Sequence, residues 1–268
     1  MKKGNPKISV VTVCYNAGND IERTIKSIIS QDYDNFEYII VDGKSTDHTL
    51  DIVFMYRDRI DKVISEKDAG IYDAMNKGID ASTGEWIIFI NAGDEFFNSK
   101  TLSSVFRQKS FNADIIFGDV LNHYQWGYVK QEGRNFNGIE SRMPFCHQSA
   151  FVRKEIIDKY KFDASFKVCG DHNQFYTMFK EGRKFEHVPL IISIFDTSGV
   201  SNYSIQGFKE MSIINDYKGI NYIKKFFRAY TKRFLSRLIS QKALSLYRFH
   251  KYRKNNKIYE ISKVVCKL

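Results

Sequence analysis

The stretch ISVVTVCYNAGNDIERTIKSIISQDYDNFEYIIVDG, residues 8–43, carries the reading on which the fold rests. Its first six residues, 8–13, form a β-branched run too short for a helix, and Asn16-Ala17-Gly18 end it, which predicts a buried strand. Asp20 then stands where an N-cap belongs, ahead of a helix whose Ile21, Ile25, Ile28 and Ile29 share one face. A second strand, 36–41, stops at Asp42-Gly43, and Ser45-Thr46-Asp47 can cap the helix that follows. Working outward, strands are expected at 62–65, 85–90 and 114–117, with helical patterns at about 71–81 and 99–108 between them. This alternation predicts an α/β fold, a mostly parallel sheet covered by helices.

Open parallel sheets bind ligands beyond the carboxyl ends of their strands, where loops converge and helix amino termini point inward. The polar residues directly after the strands are therefore the candidates: Tyr15-Asn16, Asp42-Gly43 and Asn91-Ala92-Gly93-Asp94. Asp42 and Asp94 could each cap a turn, but both fall at the ligand-facing edge of the inferred sheet, where two carboxylates can hold a nucleotide and a divalent metal, since hard cations prefer oxygen donors. Gly43-Lys44-Ser45 looks like the end of a P-loop, but that pattern needs glycine where Tyr38 stands. No G-x-G-x-x-G follows the first strand, so a classical dinucleotide site is also unsupported.

With 43% hydrophobic and 27% charged residues among 268, the chain has globular composition, which excludes wholesale disorder and a collagen-like fibre. No apolar run approaches the roughly 18 residues needed to span a bilayer. The apolar stretch near the amino terminus is too soon broken for a secretory signal, so a cytoplasmic location is expected. Cys14, Cys146, Cys169 and Cys266 are far apart and form neither a disulfide framework nor a zinc pattern. The basic charge is localised: residues 224–268 hold 14 Lys/Arg and one acid, whereas residues 1–223 hold 27 basic against 30 acidic residues. The body and the tail therefore need separate explanations.

Four blocks then carry a resemblance: ISVVTVCYN (8–16), YIIVDGKSTDHT (38–49), SEKDAGIYDAMNKGIDASTGEWIIFINAGD (65–94) and CGDHNQF (169–175). In this order they resemble the signatures of the family 2 glycosyltransferases, over roughly residues 8–200. The resemblance implies a GT-A fold and a metal-dependent transfer, with inversion, from a nucleotide diphosphate sugar, a UDP-sugar foremost, to an acceptor hydroxyl. It implies that Thr12, Tyr15 and Asn16 border the nucleotide, that Asp42 meets base or ribose, and that Asp68 and Lys77 complete the pocket. The family's metal motif is usually D-x-D; here Asn91 replaces its first acid and Asp94 remains, as the implied ligand of Mn²⁺ or Mg²⁺. One fewer negative charge shifts more of the metal's ligation onto the diphosphate oxygens.

The resemblance further implies a catalytic base, and Asp171 fits, because a helix amino terminus stabilises an ionised carboxylate. His147 and Gln148 would line the acceptor side of the cleft. Thr197 to Ser201 has a hinge-like composition suited to folding over the donor phosphates. Residues 1–215 are expected to form the GT-A domain and 216–268 a basic amphipathic helical tail, with Ile223, Phe226, Phe227, Tyr230, Phe234 and Leu238 at helical spacing. Such a helix either packs its stripe on the body or lies on an anionic membrane surface, which would place the enzyme at the inner face of the cytoplasmic membrane with a glycan or lipid-linked glycan as acceptor. A nucleic-acid partner is disfavoured by the acidic body. The alternative function is a non-catalytic sugar-nucleotide or glycan binder, suggested by Asn91.

Overall fold

The computed structural model describes residues 5–107, 110–197 and 205–216, together with 223, 224, 227, 230, 231, 247, 249–253 and 258–259. Its first half follows the expected alternation: β1 (Ile8–Cys14), α1 (Ile21–Ile29), β2 (Phe36–Asp42), α2 (Thr49–Met55), β3 (Lys62–Ser65), α3 (Ile71–Ala81) and β4 (Trp86–Phe89). Strands β4, β1, β2 and β3 lie side by side in that order, all parallel. β1 is buried along its whole length because both faces are covered. Val10 and Cys14 join one apolar cluster with Ile21, Ile25 and Ile28 of α1, while Val11 and Val13 join another with Met75 and Ile79 of α3. That two-sided burial explains the uninterrupted apolar run, each valine contributing about 1.5–3 kcal/mol.

The second half departs from simple alternation. After β5 (Glu95–Phe96) and α4 (Thr101–Phe106) come β6 (Ile115–Tyr124), β7 (Gly127–Gln131), β8 (Ala150–Arg153), α5 (Lys154–Lys159), α6 (Gly170–Lys180), β9 (Phe185–Asp196), α7 (Ile205–Ile214) and β10 (Ile258–Tyr259). β8 runs antiparallel between β4 and β6, β7 is a hairpin partner of β6, and β9 lies parallel to β6 while pairing antiparallel with β5. The result is a mixed sheet flanked by helices, a GT-A arrangement in which β9 returns the chain to the rim of the parallel half. The strand expected at 114–117 is the start of a much longer one. Asp20 precedes α1 without a side-chain capping bond and instead pairs with Arg23 at 3.1 Å.

Among the described residues no helix is long and apolar enough to cross a membrane. Of the expected tail stripe, Ile223, Phe227 and Tyr230 are helical and exposed, and Phe226, Phe234 and Leu238 lie outside the described residues. Further on, Tyr252 stacks on Trp126 in the β6–β7 hairpin with centroids 5.9 Å apart, and β10 pairs with β7.

Glu37 fastens the start of the parallel sheet. Its buried carboxylate accepts hydrogen bonds from Lys7 Nζ (2.8 Å), Ser9 Oγ (2.5 Å), Thr83 N (2.6 Å), Thr83 Oγ1 (2.8 Å) and Gly84 N (3.2 Å), joining β1, β2 and the turn before β4. Burial pushes its pKa up, but Lys7, Ser9 and Thr83 outweigh it and bring the group down from 4.5 to about 2. A carboxylate depressed on folding stabilises the protein above its ordinary pKa, and that stability is lost as pH falls from about 4.5 towards 2. Glu37→Gln should cost about 2–3 kcal/mol at neutral pH, read as a lower urea midpoint, and should remove this component of the acid dependence. An unchanged midpoint would count against the staple.

Candidate active site

Parallel register brings Cys14, Asp42 and Ser65 level at the carboxyl ends of β1, β2 and β3. Tyr15, 63% exposed, stands on this rim. Gly43 has no side chain where a Cβ would meet Asp68 Oδ2 at 2.4 Å and the Tyr15 ring at 3.4 Å, so Tyr15, Gly43 and Asp68 converge on one spot. The other expected nucleotide residues serve different purposes. Thr12 is fully buried; its hydroxyl donates to Ile90 O at 2.7 Å and meets Tyr38 Oη at 3.1 Å.

Asp42 is fully buried at the end of β2. It accepts from Ser45 N (3.0 Å), Ser65 Oγ (2.7 Å), Ser45 Oγ and, more distantly, Cys14 Sγ (3.7 Å), and so shapes the loops that form the rim. Asn16 adopts a left-handed φ of 48° and holds the same loop, accepting from Thr46 N at 2.8 Å. Lys77 donates to Lys67 O at 2.9 Å and pairs with Glu66 at 2.9 Å, tying α3 to the segment that carries Asp68.

The turn after β4 is organised from α1. Thr24 Oγ1 accepts from Gly93 N (2.9 Å) and donates to Asp94 O (2.7 Å). Gly93 has φ 98°, and a Cβ there would lie 3.3 Å from Arg23 Nη2, which pairs in turn with Asp196. Asp94 is 4% exposed; its carboxylate accepts from Gln148 Nε2 (3.0 Å) and Asp196 N (2.9 Å). Burial is the larger influence and pushes it up to about 7, against those two hydrogen bonds. Asn91 Oδ1 is buried with no hydrogen-bond partner among the described residues. One carboxylate with a raised pKa and one orphaned amide oxygen suit a hard cation that brings further oxygen ligands of its own. Among the described residues no group of three or more His, Cys, Asp or Glu is gathered to hold a metal without that help.

Asp171 occupies the first turn of α6, with a side chain 25% exposed. Tyr72 Oη donates to its Oδ1 at 3.1 Å, and His147 Nδ1 lies 3.5 Å from its Oδ2. The ring's other nitrogen, Nε2, accepts from Asn91 Nδ2 at 3.4 Å, an assignment that leaves the proton on Nδ1, facing the carboxylate. Burial lowers the His147 pKa, with Asp171 opposing, which favours the neutral ring.

His147 and Gln148 open the short 3₁₀ turn His147–Ser149. Both are largely buried, and their side chains reach the two acids, His147 towards Asp171 and Gln148 to Asp94. Gln148 reaches Asp94, and its Oε1 accepts from Cys146 Sγ at 2.7 Å, which fixes the amide's orientation. Sequence reasoning missed Tyr72 and Asp196, which act on Asp171 and Asp94 from far along the chain. The Thr197–Ser201 loop falls, from residue 198 on, outside the described residues.

Comparison with known proteins agrees with this architecture. The glycosyl transferase family 2 model matches residues 9–177. A PGL/p-HBAD biosynthesis glycosyltransferase of Mycobacterium bovis is 29% identical over 175 residues, 62% of this chain and 67% of the relative. Among solved structures, Staphylococcus aureus TarS 1–349 in complex with UDP superposes with a TM-score of 0.63 at 19% identity, covering 78% of this chain and 65% of that one. The mannosyltransferase PcManGT of Pyrobaculum calidifontis, in complex with GDP-Man and Mn²⁺, gives a TM-score of 0.59 at 19% identity, covering 84% and 69%. At such identities the structural likeness speaks for the fold alone. The family match extends from β1 into α6 and so takes in both acids of the rim: the chain belongs to glycosyl transferase family 2 and is a glycosyltransferase of the GT-A fold.

Proposed function

We propose that the enzyme transfers a sugar, with inversion, from a nucleoside diphosphate sugar to an acceptor hydroxyl, with Asp171 as catalytic base. The observation that carries this reading is the span from Asp171 through His147 to Asn91, and from the next residue, Gln148, to Asp94. One acid thereby faces the attacking alcohol and the other the departing diphosphate. The acceptor oxygen bonds to the anomeric carbon on the face opposite the diphosphate, the old C–O bond breaks, and the electron pair leaves with the nucleoside diphosphate. Asp171 takes the hydroxyl proton on Oδ2, while Tyr72 Oη fixes Oδ1 and the amino terminus of α6 favours negative charge.

Tyr15, Gly43 and Asp68 form the nucleoside end, supported by Asp42, Asn16 and Lys77. Asp94 and Asn91 would hold Mn²⁺ or Mg²⁺ together with the donor's diphosphate. When bound, the cation stabilises charge on the leaving group. A UDP-sugar is the donor we favour, consistent with the UDP held by the TarS structure, although PcManGT holds GDP-Man. The acceptor we favour is a glycan or lipid-linked glycan, because the 14 Lys/Arg of residues 224–268 suit an anionic membrane surface, the inner face of the cytoplasmic membrane.

Three outcomes follow from this chemistry. Asp171→Asn should lower turnover by about 10²–10⁴-fold while leaving the affinity for UDP with Mn²⁺ nearly unchanged by calorimetry; retained turnover would place the base elsewhere. A proton competes with the metal at Asp94, so below its pKa of about 7 the Mn²⁺-dependent part of UDP affinity should weaken, by about tenfold per pH unit. Asp94→Asn should flatten that profile, and an identical profile in the variant would assign the metal to other ligands. Replacing Lys224, Lys225 and Arg228 with Gln should weaken salt-sensitive sedimentation with vesicles containing phosphatidylserine; undiminished sedimentation, or equal binding to nucleic acid, would remove the membrane role.

A further inference from the structure

The segment just before α6 is held from three directions, and one of the three anchors lies outside the residues that the family model matches. Glu210, on α7, is 2% exposed. Its carboxylate accepts four hydrogen bonds: Lys167 N (2.8 Å) and Gln206 Nε2 (2.7 Å) on Oε1, Val168 N (2.9 Å) and Cys169 N (2.8 Å) on Oε2. Three consecutive backbone N–H groups thus converge on one buried acid immediately ahead of the helix that carries Asp171. Burial alone would raise its pKa, yet Gln206 and those N–H groups hold it below the usual carboxylate range, as a charged anchor.

From the opposite side, Tyr72 Oη contacts both Val168 O (2.8 Å) and Asp171 Oδ1 (3.1 Å). From the nucleoside end, Lys167 Nζ donates to Ala69 O at 2.7 Å, next to Asp68. Residues 167–169 are therefore the piece of backbone through which α7, α3 and the Asp68 turn all bear on the base. Without the carboxylate, three N–H groups lose their shared acceptor, and of these hydrogen bonds to α7 the segment keeps only the longer contact of Cys169 Sγ with Gly207 O, 3.6 Å.

We propose that Glu210 is a positioning residue for the transfer reaction: by fixing residues 167–169 it sets where the Asp171 carboxylate stands relative to the acceptor hydroxyl. The inference rests on the reading of Asp171 as the base. It sets kcat through another group's geometry and adds nothing to donor affinity.

The test uses the full chain, Mn²⁺ and the better donor of UDP-GlcNAc and GDP-mannose, with release of nucleoside diphosphate as the rate and amide hydrogen exchange as the structural readout. Glu210→Ala should lower kcat by about 10- to 100-fold with KM for the donor nearly unchanged, because misplacement of a catalytic group by about 1 Å has effects of that size. The amides of Val168 and Cys169 should lose protection, and Glu210→Gln, which keeps one acceptor oxygen, should fall between. In an Asp171→Asn background Glu210→Ala should cost nothing further, since residues acting as one unit are not additive.

An Asp171→Asn enzyme that keeps its turnover overturns the base assignment and this inference with it. A dead Asp171→Asn beside a folded Glu210→Ala with wild-type kcat overturns this inference alone, as does an equal loss in both backgrounds. If Glu210→Ala does not fold, Glu210→Gln decides: a lower kcat at constant KM upholds the role, and a wild-type kcat refutes it.

Discussion

Two neighbouring side chains, His147 and Gln148, hold the site together. Gln148 gives its amide to Asp94, and His147 stands between Asn91 and Asp171. The first is a buried hydrogen bond of ordinary length, 3.0 Å, and the second, a 3.5 Å approach of imidazole to carboxylate, is an electrostatic contact rather than a hydrogen bond. Their effect is geometric. Because the two residues share one short 3₁₀ turn, the first turn of α6 with Asp171 and the turn after β4 with Asp94 are tied to the same piece of backbone.

The two acids differ in their surroundings, as the proposed reaction asks. Asp94 is sealed in the interior, where burial raises its pKa to about 7 and leaves it favouring a cation. Asp171 is partly open at a helix amino terminus, where an incoming hydroxyl can reach it. The parallel sheet supplies the rim, and the antiparallel return of β9 supplies the backbone N–H of Asp196 that meets Asp94. The second half of the sheet is therefore part of the site, as well as its support.

The parallel half was legible in the sequence because physics there is local. A strand buried on both faces must be apolar throughout, as residues 8–13 are, and α1 shows its stripe in Ile21, Ile25 and Ile28. The remaining strands were hidden for equally physical reasons: β5 has two residues and β8 four, too few to show a period, and β9 mixes exposed and buried positions. Asp94 and Asp171 were found through motif and resemblance, but what surrounds them was not. Thr12 was named through the resemblance alone, and the hydrogen bond of its hydroxyl to Ile90 O, 78 residues on, is a contact that no local pattern announces. Tyr72 meets Asp171, and Glu210 meets the segment just before it, from far along the chain, separations over which a single sequence carries no signal.

The most direct measurement is a crystal structure of the enzyme with UDP and Mn²⁺. The account expects the cation beside Asp94 and Asn91, the diphosphate running from there towards Tyr15 and Asp68, and the Asp171 carboxylate across an open space the size of a sugar. A nucleotide bound away from this rim, or a cation without Asp94 among its neighbours, would contradict it.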